Sequence, residues 1–116
     1  MARPQRSRRI CALPLHRCFR PSPLTNTEEI LLSLDEYETL RLMDHEGFTH
    51  EQCALHMRIS RTTASEIYAA ARRKIAAALV RGCELHISGG SVYLCEHSAQ
   101  CHGICPDCLD KEHGNS

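Results

Sequence analysis

The stretch Thr49 to Leu79, THEQCALHMRISRTTASEIYAAARRKIAAAL, constrains the fold more than any other part of this chain. Thr49 followed three residues later by Gln52 is a capping box, in which a hydroxyl and an amide side chain exchange hydrogen bonds with the backbone at a helix start. Cys53, Ala54 and Met57 share one face of the helix that follows, and the small Ala54 admits a close neighbour. Arg58, Ile59 and Ser60 have the length of a tight turn, with Ile59 plugging the angle and Ser60 as N-cap of a second helix. Ala64, Ile67, Ala71, Ile75 and Leu79 then recur at steps of three and four, predicting one buried stripe. Glycine is frequent where such turns have Arg58, and a left-handed backbone would strain arginine, so a local departure from that turn geometry is expected.

Arg61, Thr62, Ser65, Glu66 and Ala69 lie off the buried stripe near the start of the second helix, where a recognition helix meets base edges in the major groove. Arginine is suited to guanine and glutamate to cytosine, so Arg61 and Glu66 are candidate base readers. Thr62 and Ser65 suit bases or phosphates. Arg72, Arg73, Lys74 and Arg81 continue along the helix as candidate phosphate contacts. A solvated surface helix would explain the charges alone. It would not explain a capped helix, a turn and a polar leading edge arriving in order.

Upstream, Ser33 and Glu36 form a second capping box, opening a helix through Leu34, Tyr37, Leu40 and Met43 that ends at Gly47. Three helices between Ser33 and Val80 make the smallest plausible core, with Gly82 as the terminating glycine of the last. The formal charge is zero, but it is segregated. Residues 1–20 carry net +6, 21–57 net −7, 58–81 net +5 and 82–116 net −4. Both basic blocks coincide with segments that a DNA reading sets against phosphate.

The N-terminal MARPQRSRR has almost nothing to bury and reads as a basic, partly disordered arm, with Arg3, Arg6, Arg8 and Arg9 available to follow a minor groove. It is too polar for a signal peptide, and no run reaches the ~20 apolar residues of a membrane span. A cytoplasmic location follows as an expectation. There, thiols stay reduced, and eight cysteines suggest metal or redox chemistry before disulfides. Cys95, Cys101, Cys105 and Cys108 form C-x5-C-x3-C-x2-C, with His97 and His102 as alternate ligands. Zinc fits this set, and an iron–sulfur cluster is the alternative. Cys53 reads as a small core residue. Glu84–Ile87 and Ser91–Leu94 flank Ser-Gly-Gly and read as a short β-hairpin.

Several of these segments resemble domain-of-unknown-function family 134, the UPF0251-type proteins labelled predicted DNA-binding proteins. The likeness rests on Arg3-Pro4, Arg9-Ile10, Pro14, Phe19, Pro21, LSLDEYETLRLMDHEG (Leu32 to Gly47), SRTTASEIYAAARRKIAAAL and the paired glycines, and runs to about Leu94. The helical part is similar to the promoter-reading fourth region of bacterial sigma factors. This resemblance implies a small transcriptional regulator. The expected architecture is mainly α: a basic arm over 1–25, a three-helix helix-turn-helix domain over 26–82, a hairpin over 83–94 and a Cys/His-rich metal-binding tail over 95–116. The expected partner is double-stranded DNA, bound as a homodimer. An adaptor that uses the sigma-like helices to hold RNA polymerase is the alternative. No catalytic constellation supports an enzyme, and no membrane partner is expected.

Overall fold

The computed structural model describes residues 7–96. Its elements are β1 (Arg8–Ile10), β2 (Cys18–Phe19), β3 (Glu29–Leu32), α1 (Leu34–Thr39, continuing as a π-helical segment Leu40–His45), α2 (His50–Met57), α3 (Arg61–Arg81), β4 (Glu84–Ile87) and β5 (Val92–Leu94). The helices begin where side-chain chemistry starts them. Ser33 and Thr49 close reciprocal capping boxes with Glu36 and Gln52, and Ser60 Oγ accepts from the Thr63 N–H at 3.0 Å. Gly82, at φ 68°, ends α3.

The mainly α expectation is overturned. Among the described residues, five strands in two sheets make this a mixed α/β fold, with β1 parallel to β5 in one sheet and the order β2-β4-β3 in the other. β4 lies antiparallel to β2 and parallel to β3, and Ile10 is opposite Leu94 in the first sheet. The hairpin over 83–94 does not form, because β4 and β5 belong to different sheets. Gly89 and Gly90 do take positive φ, as a turn would ask. Their loop, however, docks on the start of α1. Leu34 N–H donates to Gly89 O at 2.9 Å, and Ser88 N–H to Leu32 O at 3.0 Å. A Cβ on Gly90 would meet Asp35 Oδ1 at 2.9 Å, so the glycine serves a close backbone approach.

The core divides in two. Leu42, Cys53, Ala54, Met57 and Ala64 pack between the helices. Ile10, Leu32, Leu34, Ala71, Leu85 and Ile87 pack between the strands and the helices. Leu85 and Ile87 alternate inward along β4, which gives that strand one apolar face to bury. Each such side chain contributes about 1.5–3 kcal/mol when fully removed from water. The strands therefore cover apolar surface on α1 and α3 that the three helices alone would leave wet.

The basic arm expected over 1–25 is also corrected over its described part. Arg8 and Arg9 belong to β1 and are buried, 9% and 5% exposed. Arg8 pairs with Asp35 at 3.8 Å, and Arg9 Nε donates to the His56 carbonyl at 3.0 Å. The reason lies in partners inside the fold: Arg8 finds a counter-charge in the acidic block that follows, and Arg9 a backbone carbonyl at the end of α2. Arg3 and Arg6 lie outside the described residues. Among the described residues, no helix is long and apolar enough to cross a membrane.

Candidate nucleic-acid interface

α2, the three residues Arg58–Ser60 and α3 form a compact corner. The last turn of α2 closes with Arg58 N–H donating to Leu55 O at 3.3 Å and Ile59 N–H to Ala54 O at 3.0 Å. This paired arrangement is the Schellman motif, with Ile59 packed on the cluster that contains Ala54. Arg58 sits at φ 61°, ψ 47°, so the expected departure from left-handed geometry does not occur. The two backbone bonds and the Ile59 contact offset a cost of about 1–2 kcal/mol for a side chain in that region.

Across the corner, His50 Nδ1 and Ser65 Oγ are hydrogen-bonded at 2.7 Å, and the His50 ring meets Tyr68 edge-on at 5.6 Å. Tyr68 donates to Asp44 Oδ1 at 2.6 Å, and this bond raises the phenol pKa above its ordinary value. Arg72 lies over the Tyr68 ring and pairs with Asp44 at 3.3 Å. Lys74 bonds Glu36 at 2.8 Å and the Leu31 carbonyl at 3.0 Å.

These contacts sort the residues named from sequence. Arg61, Thr62 and Glu66 are exposed on one edge of α3, Ser65 is half-buried beneath them, and Arg73 is exposed further along. Arg61 and Arg73 make no ion pair among the described residues. Arg72 is exposed but tied to Asp44, whereas Lys74 fastens α3 to the start of α1 and is spent on the fold. The predicted buried stripe holds at Ala64 and Ala71, both 0% exposed, but Leu79 is 78% exposed. Each four-residue step turns the stripe by about 40°, so successive steps carry Leu79 round to the Arg61 face.

Behind the corner lies a buried polar cluster that sequence reasoning missed. Glu38, fully buried, takes a bidentate pair from Arg41, at 2.9 Å from Nε and 2.7 Å from Nη2, and accepts the Cys11 N–H at 3.1 Å. His56, also fully buried, lies with Nε2 3.3 Å from Cys11 Sγ and meets the Phe48 ring edge-on. Burial first, then Arg9 and Arg41, holds the His56 pKa down at about 4. Burial, reinforced by Glu38, pushes the Cys53 thiol up to about 12, which leaves it the inert core thiol expected. Cys11, Glu38 and His56 bring their ligand atoms close together. With both Glu38 oxygens engaged and two guanidinium groups alongside, the cluster suits a structural tie better than a cation. Cysteine and histidine separated by 45 residues leave no spacing signal to find it by.

Of the tail ligands named from sequence, Cys95 is buried and extends the β1–β5 pairing, its N–H donating to Ile10 O at 2.8 Å. His97, Cys101, His102, Cys105 and Cys108 lie outside the described residues.

Fold and site define a small mixed α/β domain whose helical corner presents a polar edge while strands brace it from behind. A family model described as "Protein of unknown function DUF134" matches residues 1–94. A UPF0251 protein of Desulfitobacterium hafniense (strain Y51) is 45% identical over 98 residues, covering 83% of this chain and 78% of that protein. One from Pelotomaculum thermopropionicum is 42% identical over 103 residues, covering 87% and 78%. One from Clostridium novyi is 43% identical over 110 residues, covering 93% and 72%. The chain belongs to the DUF134/UPF0251 family, as its sequence resemblance implied. No solved structure matches it.

Proposed function

We propose that the protein is a DNA-binding regulator that uses α2, the Arg58 turn and α3 as a helix-turn-helix. The observation that carries this reading is the exposed edge of Arg61, Thr62 and Glu66 at the capped start of α3, with the half-buried Ser65 beneath it locking α2 in place through His50. Arg61 and Glu66 read base edges, Thr62 and Ser65 support them, and Arg73 meets phosphate. Arg72, its charge already offset by Asp44, contributes less to phosphate binding. The protein acts by binding, not by catalysis.

Two copies pair on DNA. The support is an apolar cleft of about 980 Å³ walled by Leu13, Leu15, Phe19 and Leu79, all exposed. The charged variant Leu79→Glu, at a solvent-facing position, is expected to turn a dimer into a monomer by light scattering. Metal in the tail, zinc or an iron–sulfur cluster, remains part of this reading through the cysteine spacing.

The test is selection from a pool of random duplexes, followed by titration of the enriched site against competitor DNA. Saturable binding that weakens steeply with salt is expected. Arg61→Ala with Glu66→Ala should flatten base preference, and Arg73→Ala should weaken all sequences alike. No enrichment from the pool would overturn the reading. One observation favours a second reading, an adaptor that binds RNA polymerase: Glu66 and the Arg72–Asp44 pair leave the edge weakly basic. Co-purification with polymerase in the absence of any enriched DNA sequence would select it.

A further inference from the structure

β4 carries Glu84 and His86 on the face opposite its buried Leu85 and Ile87. The strands on either side add to that outer face in register. Cys18 of β2 is directly opposite His86, and Glu29 of β3 is beside Glu84. His86 Nε2 is 2.6 Å from Glu84 Oε1 and 3.9 Å from Glu29 Oε2. The Cys18 thiol, a Glu84 oxygen and a His86 ring nitrogen all lie within 4.8 Å of one another. Arg20, two residues beyond Cys18, bonds the other Glu84 oxygen at 2.9 Å.

We propose that Cys18, Glu84 and His86, with Glu29 as the fourth donor, form a binding site for a divalent cation of the zinc class on the outer face of the three-stranded sheet. The donor set of one thiolate, one imidazole and carboxylate oxygens fits tetrahedral zinc. It does not fit calcium or magnesium, which take all-oxygen shells. Zinc holds such donors at about 2.0–2.3 Å, which brings tetrahedral neighbours to roughly 3.3–3.8 Å apart. For Cys18, Glu84 and His86 small side-chain rotations reach that spacing, with the ion replacing the His86–Glu84 hydrogen bond, and Glu29 closes in from the His86 side. Arg20 orients the Glu84 carboxylate from outside, the role an outer-shell partner plays at a metal site.

An ordinary cross-strand His–Glu pair explains two of these residues. It does not explain an exposed cysteine opposite the histidine, since cysteine is among the most buried residue types. Nor does it account for two carboxylates converging on that histidine. The Glu84 and Glu29 carboxylates outweigh the single charge of Arg20, so the patch attracts a cation. The ion would bind β2, a strand of two exposed residues, to β4 and β3. β2 continues the segment that walls the apolar cleft, so metal occupancy would fix one wall of that cleft.

The test is a cobalt(II) titration, without oxygen and with a non-thiol reductant, of the full chain carrying Cys101→Ser, Cys105→Ser and Cys108→Ser, so that of the tail thiols only the buried Cys95 remains. One equivalent is expected to produce a thiolate-to-cobalt charge-transfer band and the intense visible bands of a tetrahedral ion. Cys18→Ser should abolish the charge-transfer band, and His86→Ala should weaken binding ~10-fold or more. Both side chains face solvent at least in part, and circular dichroism would verify that each variant is folded. Bands that survive Cys18→Ser, affinity unchanged by His86→Ala, or no bands in the parent chain would each overturn the proposal.

Discussion

His56 makes the stability of this protein depend on pH in a window that its exposed residues do not set. The ring is fully buried, and burial together with Arg9 and Arg41 lowers its pKa from 6.5 to about 4. In the unfolded chain the imidazole takes a proton as pH falls through its ordinary value. In the folded chain it stays neutral until about 4. The unfolded state therefore binds more protons across that interval, so stability falls as pH falls and levels off below the folded pKa. Integrating the proton difference between about pH 7.5 and about pH 5 gives a loss of roughly 2 kcal/mol from this one group. Urea unfolding followed by circular dichroism at the two pH values, with thiols kept reduced, measures it. His56→Gln removes the titrating group, so the variant, although weaker at neutral pH, should lose less than half as much stability on acidification. An equal loss in wild type and variant would refute the assignment. So would a wild-type stability that does not change between the two conditions.

Three further perturbations test how the corner is braced. Glu38→Ala leaves the Arg41 guanidinium without its buried partner and strips the Cys11 N–H of its acceptor, so a loss of about 3–5 kcal/mol is expected by urea unfolding. Gly90→Ala sets a methyl against Asp35 at a positive φ, and a loss of about 1–3 kcal/mol should appear in the thermal midpoint. Arg58→Gly relieves the left-handed arginine and should gain about 1 kcal/mol by the same measurement.

The helix starts were legible because each depends on residues three apart. Ser33 with Glu36, Thr49 with Gln52, and Ser60 before the α3 run all cap as their spacing predicts. The burial of Cys53, Ala54 and Met57 was legible for the same local reason. The sheets were not. β1 is three residues, Arg-Arg-Ile, and its partner β5 begins at Val92, so neither periodicity nor composition announces the pairing. Two adjacent arginines read as solvent-facing until their acceptors, Asp35 and the His56 carbonyl, are in place. Charge segregation misled in the same way. Arg8–Asp35, Lys74–Glu36, Arg81–Glu28 and Arg20–Glu84 pair each basic block with acids from another block. Much of the apparent footprint is the fold's own internal neutralisation. The metal-competent face of β4 was hidden because Cys18 and His86 meet only through strand register.

The strands matter to the edge of α3 through their hold on α2. Arg9 in β1 donates to the His56 carbonyl, which lies in the last turn of α2, two residues before the left-handed Arg58. A helix C-terminus carries unsatisfied carbonyls and the negative end of the helix dipole, so a buried guanidinium there is doubly favourable. β1 therefore fixes where α2 stops, and the Arg58 turn fixes how α3 leaves it. From the other side, Asp44 holds Tyr68 and Arg72 to the end of the π-helical segment, and Glu36 holds Lys74 to the start of α1. With α3 restrained from these directions, Arg61, Thr62 and Glu66 are presented by a rigid frame, so their spacing is set before any partner arrives. For either partner proposed above, that preorganisation would reduce the ordering cost of binding.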